Sequence, residues 1–177
     1  MPDEHVDTLL WAATQASSAH NSQPWELVVV RSPAARAAIA AEIAAAVRAS
    51  DPMPVPESDA DVRIEVGVRN LFATMQDAPL LIFVCARDSY LDSAPQERFL
   101  WSAVGAATQN LLVAARSLGL GVAPTMFHVL AEPPIRRLLE LPDDVVIGVT
   151  AVVGWPARSF GPLQRRPLAD VVHRERW

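Results

Sequence analysis

Residues 145–153 read Val-Val-Ile-Gly-Val-Thr-Ala-Val-Val, with almost no position that favours water. A run of this length is far too short to cross a membrane as a helix. Read as a strand it has no polar face, so it must be buried on both sides. Residues 80–86, Leu-Leu-Ile-Phe-Val-Cys-Ala, make the same demand, and residues 25–31 and 122–126 are two further strand candidates. Helical segments separate them. Val6, Leu9, Leu10 and Ala13 recur at helical spacing, predicting an amphipathic helix that ends before Ser17. Ser32 followed by Pro33 reads as an N-cap with proline at the first helical position, opening an alanine-rich helix to about residue 49. Residues 59–76 form a further helix, with Val62, Val66, Leu71 and Met75 as inward positions. The strongest helix spans 99–118, where Ala103, Ala106, Ala107, Leu111, Ala114 and Ala115 give a smooth surface that a partner helix can approach closely. Gly119 and Gly121 end it. Glu132-Pro133-Pro134 opens a last helix to about residue 141. Strands that alternate with helices predict one layered α/β domain over residues 1–177, with no internal repeat.

Two segments stand outside this pattern. The prolines within 51–56 require an extended, exposed connection. The tail over 155–177 is rich in Pro, Arg and Trp and has little helical character, so it is expected to lie on another surface, such as a second subunit.

Composition removes several classes of function. A formal net charge of -5 argues against a nucleic-acid footprint, and the pairs Arg136-Arg137 and Arg165-Arg166 are too small to make one. The single cysteine, Cys85, excludes an internal disulfide and sits inside an apolar strand. Met1-Pro2-Asp3-Glu4-His5 lacks the basic start of a secretory signal, so a soluble, cytoplasmic protein is expected. The histidines at 5, 20, 128 and 173 have no metal-ligand spacing. No Gly-x-Ser-x-Gly elbow or P-loop occurs, and Gly119-x-Gly121 lacks the third glycine of a dinucleotide fingerprint. With no nucleophile beside a base, an organic cofactor is the natural carrier of any chemistry.

The stretch Ser17-Ser18-Ala19-His20-Asn21-Ser22-Gln23-Pro24-Trp25 crowds small, hydroxyl and amide residues between an apolar helix and a β-branched strand. Such a loop can present many hydrogen-bonding groups to something flat and polar-edged. It resembles the flavin-contacting loop of the nitroreductase family, which reads roughly Ala-Pro-Ser-x-x-Asn-x-Gln-Pro-Trp. Ala103 to Ala115, Leu118-Gly119-Leu120-Gly121, Leu141-Pro142-Asp143-Asp144, Gly154-Trp155-Pro156-Ala157 and Arg165-Arg166-Pro167-Leu168 continue the resemblance in order and spacing.

The resemblance implies an α+β, three-layer α-β-α fold with a mainly antiparallel sheet, forming an intertwined homodimer with one FMN in each interface cleft. Ser18, Asn21 and Gln23 would then contact the isoalloxazine and ribityl groups, from the subunit opposite. Pro124, Thr125, Met126 and Phe127 fall where the family places backbone N–H groups near flavin N5. Arg165 and Arg166 match the residues that hold the FMN phosphate, with Arg158 a further candidate, and guanidinium forks suit phosphate oxygens. His20 occupies a variable, exposed position. Family members also carry an Arg-Arg-Ser-x-Arg segment before the first helix, whereas this sequence opens on Met1-Pro2-Asp3-Glu4. Either the start lies upstream or the flavin is held with fewer cations; two lost charge-assisted bonds would weaken FMN by roughly a hundredfold to ten-thousandfold. The activity implied is hydride transfer from NAD(P)H through flavin N5 to nitroaromatics or quinones. A flavin-storing protein on the same fold, or a deazaflavin-using relative, is the alternative.

Overall fold

The computed structural model describes residues 1–50, 55–87, 96–163 and 165–177. Strand β2 (Leu80–Arg87) explains the rest of the layout. Each residue from Leu80 to Ala86 is fully buried. Successive side chains point to opposite faces. Leu80, Ile82, Val84 and Ala86 therefore enter one apolar cluster, while Leu81, Phe83 and Cys85 enter another. The first cluster is closed by α1 (Asp3–Thr14) and α4 (Gln96–Ser117), the second by α2 (Pro33–Ala49), α5 (Glu132–Leu139) and the C-terminal end of α3 (Asp59–Thr74). With β1 (Trp25–Val30), β3 (Gly121–Thr125) and β4 (Val145–Gly154), the sheet has the order β1-β2-β4-β3. The result is three layers, helix on sheet on helix.

Every neighbouring pair of strands is antiparallel. This agrees with the α+β, antiparallel fold and corrects the α/β reading drawn from the alternation of elements. Two helices, α2 and α3, stand between β1 and β2 and return the chain to the end of the sheet it left, where Val30 pairs with Leu81. A single helix, α4, separates β2 from β3, which run in the same direction but are kept apart by β4. Alternation counts elements and leaves strand direction open.

β4 changes phase partway along. Val145 and Ile147 face the α2/α5 side, whereas Val149, Ala151 and Val153 face the α1/α4 side. The pairings Val84 with Val149 and Cys85 with Ile147 leave Gly148 as the extra residue of a β-bulge. A Cβ on Gly148 would lie 2.5 Å from Val104 Cγ1 and 2.9 Å from the Val84 carbonyl oxygen. Only glycine lets α4 and β2 close on this point. At the other end of α4, Gly119 adopts φ +73°, and Leu120 N–H donates to the Ala115 carbonyl at 2.8 Å, ending the helix in a Schellman turn.

α3 departs from its expected orientation. Val62 and Val66 are 47 % and 51 % exposed rather than inward, and only the last turns, through Leu71 and Phe72, pack on the core. The helix ends at Thr74, and Met75 is buried within a short 3-10 turn, Met75–Asp77. Of the proline-rich connection, residues 51–54 lie outside the described residues. Each described residue of the tail from 155 to 177 is exposed.

Two tests follow from this packing. Gly148→Ala should lower unfolding free energy by about 1–3 kcal/mol, since neither Val104 nor the β2 backbone has room to retreat; chemical denaturation measures it. Burial pushes the Cys85 thiol up to about 12. A thiol reagent at mildly alkaline pH should therefore leave the folded protein unlabelled and modify it only after denaturation.

Candidate functional site

The loop between α1 and β1 is held in a costly conformation. His20, Asn21 and Gln23 have φ of 53°, 54° and 50°. Non-glycine residues rarely occupy this region. Each such residue costs about 1–3 kcal/mol unless its surroundings impose it. The surroundings here are specific. Ser18 Oγ accepts the Gln23 N–H at 2.9 Å, and Gln23 Nε2 donates to the Asn21 carbonyl at 3.4 Å. Asn21 N–H and Ser22 N–H donate to the Ser18 and Ala19 carbonyls at 3.1 and 3.0 Å. Pro24 and Trp25 are buried, and the Pro24 carbonyl accepts the Arg87 N–H at 2.8 Å. The Arg87 side chain bridges Glu26 and Asp144. From the other side, Asn110 Nδ2 on α4 donates to the Ala12 carbonyl at the end of α1, at 3.1 Å. The side chains of His20, Asn21 and Gln23 stand exposed on this rigid frame.

A second feature sits where β3 ends. Residues 123–127 and one face of α3 line an open cavity of about 590 Å³. Ile64, Val68, Leu71 and Phe127 make it apolar, Gly67 keeps it open, and Asn70 is the only side-chain amide in its lining. Among the described residues, no charged side chain lines it. Phe127 packs edge-to-face on Phe72 with centroids 4.7 Å apart, and Thr125 Oγ1 accepts the Phe127 N–H at 3.2 Å. Met126, 53 % exposed, stands at the mouth.

Behind this segment lies His128, fully buried. Its Nε2 is 3.2 Å from the Ile147 carbonyl and its Nδ1 3.0 Å from Thr150 Oγ1. A carbonyl only accepts, so Nε2 carries the proton and Nδ1 accepts from the threonine hydroxyl. Burial holds the pKa of this imidazole below the ordinary histidine value, keeping it neutral.

The loop and the cavity occupy opposite edges of the sheet. Thr125 pairs with Thr150, Thr150 with Phe83, and Phe83 with Val28, so three strand spacings, roughly 14 Å, separate β3 from β1. Accordingly Ser18, Asn21 and Gln23 contribute nothing to the cavity lining, while Pro124, Thr125, Met126 and Phe127 all do. Arg165 and Arg166 lie elsewhere again, on the exposed tail. Arg166 donates to the Asp170 carbonyl at 2.6 Å, around a 3-10 turn at Leu168–Asp170. Arg158 is also exposed, and the neighbouring Phe160 lies under the Arg116 guanidinium at 3.8 Å, tying the start of the tail to α4.

Asn70, His128 and Thr150 escaped the sequence reading. Asn70 carried one usable signal, an amide within the apolar last turns of a helix. Among the described residues, no group of His, Cys, Asp or Glu is arranged to hold a metal, and no helix is long and apolar enough to cross a membrane. The residues present do fit a flavin. The cavity offers apolar walls with one amide, the loop offers exposed amides, and Ser22 Oγ is buried there with no hydrogen-bond partner. An orphaned hydroxyl beside strained backbone marks a place built to meet something else.

Several known proteins resemble this chain over most of its length. A protein of Methanothermobacter thermautotrophicus is 32 % identical over 181 residues, covering 100 % of this chain and 78 % of its own length. The NADH dehydrogenase of Thermus thermophilus is 29 % identical over 184 residues, covering 97 % of this chain and 85 % of the relative. Among solved structures, the NADPH:FMN oxidoreductase of Vibrio harveyi superposes with a TM-score of 0.77 at 20 % identity, covering 100 % of this chain and 70 % of that one. The sequence profile of the Nitroreductase family matches residues 1–155, and the chain therefore belongs to the nitroreductase family.

Proposed function

We propose that this protein is an FMN-dependent oxidoreductase that takes hydride from NAD(P)H and delivers it to electron-poor acceptors such as nitroaromatics or quinones, working as a homodimer in the reducing cytoplasm. The observation that carries the reading is the separation of the strained amide loop and the apolar cavity on opposite sheet edges, which a two-fold partner would bring face to face. FMN, when bound, supplies the two-electron chemistry at its N5.

Each residue then has a definite task. Asn21 and Gln23 hold the polar edge of the ring with exposed amides. Ser18 uses its oxygen on the Gln23 N–H, which leaves its own hydroxyl proton to donate outward. Within 124–127 the choice of N–H donor narrows. Pro124 has none, Phe127 N–H is committed to Thr125 Oγ1, and Thr125 is the last residue paired with β4. Met126, just past the ladder with its carbonyl engaged by Val129 N–H at 3.0 Å, is the donor for flavin N5. Asn70 adds an amide from α3, and the uncharged lining suits a neutral, flat acceptor. Arg165 and Arg166 bind the phosphate from the tail. For the dimer, α4 presents a bare stripe of Trp101, Gly105, Gln109 and Val113, and a Cβ on Gly105 would meet nothing within 4 Å.

Purified protein incubated with FMN and desalted should keep its flavin absorbance, and NAD(P)H should bleach it under anaerobic conditions. A bound flavin that stays oxidised would make this a storage protein, and a colourless one would end the flavin reading. Asn21→Ala and Arg166→Ala should each lower FMN occupancy by about tenfold or more, while thermal melting barely moves because both side chains are exposed. Gly105→Arg should yield folded monomer by sizing, with flavin lost from both clefts; a flavin-bound monomer would overturn the shared-site assignment.

A further inference from the structure

Four polar side chains are buried among the described residues: Thr108, Thr125, His128 and Thr150. Three of the four stand together, directly behind Met126. We propose that Thr125, His128 and Thr150 form a buried lock that fixes the direction of the Met126 N–H, and are positioning residues for hydride delivery. The proposal rests on the flavin reading above and names the parts of the protein that make the N5 contact stiff.

The geometry is specific to that turn. Thr125 and Thr150 are cross-strand partners with side chains on the same face of the sheet. Thr125 Oγ1 takes the Phe127 N–H, so the backbone is held on the C-terminal side of Met126. The Ile147 carbonyl, which only accepts, fixes the His128 proton on Nε2, and Thr150 donates to the Nδ1 that this leaves as an acceptor. His128 thus clamps the 3-10 turn Phe127–Ala131 to β4 at two points, one on each side of the Gly148 bulge. Val129 N–H holds the Met126 carbonyl, so the peptide is fixed on that side as well.

A merely well-packed core would fill this space with apolar side chains. A buried polar group left without a partner is costly, and a fully satisfied network instead specifies one arrangement. Hydride transfer makes that useful, because misplacing a reacting centre by about 1 Å can cost on the order of a hundredfold in rate. None of the three side chains lines the cavity except Thr125, so His128 and Thr150 act through the backbone they hold.

Thr150→Val keeps the shape and deletes the hydroxyl, leaving Nδ1 of His128 unpaired; Thr150→Ser restores the donor. In flavin-free protein, amide hydrogen exchange over 126–130 should quicken about tenfold in the valine variant, with β2 amides unchanged. In FMN-loaded protein, the maximal rate of anaerobic flavin reduction should fall about tenfold or more while the KM for NAD(P)H shifts by less than about threefold. Serine should restore both. Unchanged exchange over 126–130, or a rate loss that tracks thermal melting and is not recovered by serine, would reduce the three residues to ordinary core and overturn the proposal. A wild-type protein whose bound flavin NAD(P)H cannot bleach would sink the oxidoreductase reading and with it the role in hydride delivery, while the exchange comparison would still decide whether the lock exists.

Discussion

The contact between the Gly148 bulge, the Val84 carbonyl and Val104 of α4 organises more of this molecule than any other. One extra residue in β4 moves its odd-numbered side chains from one face of the sheet to the other. Without that shift, Val149, Ala151 and Val153 would face α2 and α5, and the α1/α4 layer would lose the β4 part of its floor. The same bulge sets Ile147 and Thr150 at the spacing that a single imidazole can bridge. Packing of the largest helix and support of the β3 exit are therefore two results of one backbone irregularity. Bulges often re-aim a strand next to a functional site, and this one does so from behind.

Stiffness is distributed unevenly and with a pattern. The loop over 17–25 holds three residues at positive φ and is braced by Ser18, Arg87 and Asn110, each from a different element. The turn after β3 is braced by Thr125 and His128. Between them, α3 exposes Val62, Ile64 and Val66 and touches the core only through its last turns. Two braced turns and a loosely seated helix therefore make up the candidate site.

Much of the fold was legible because burial on both faces leaves a plain signature. The runs at 80–86 and 145–153 announced β2 and β4, and Ser32-Pro33 and Gly119 marked helix ends that the structure places within one or two residues. Strand direction was not legible, since a list of alternating elements does not say on which side each helix returns. The exposed face of α3 misled because a helix that packs through its last turns needs no consistent apolar period. In the site, the loop motif could be read from residue types and the segment 124–127 only through the family resemblance, whereas their separation by three strand spacings could not be read at all. His128 and Thr150 were invisible for a physical reason: a satisfied buried pair looks, in sequence, like any histidine and any threonine.

The placement of loop and cavity on opposite sheet edges has a genetic consequence. In the two-fold assembly proposed above, each cleft would take its loop from one chain and its cavity from the other. A chain with a ruined loop and a chain with a ruined cavity are each inactive alone, since both clefts of either homodimer carry a defect. In a mixed dimer the two defects fall in the same cleft, and the remaining cleft is built wholly from sound parts. Two dead alleles expressed together would then yield a living enzyme, with one working cleft in every mixed pair.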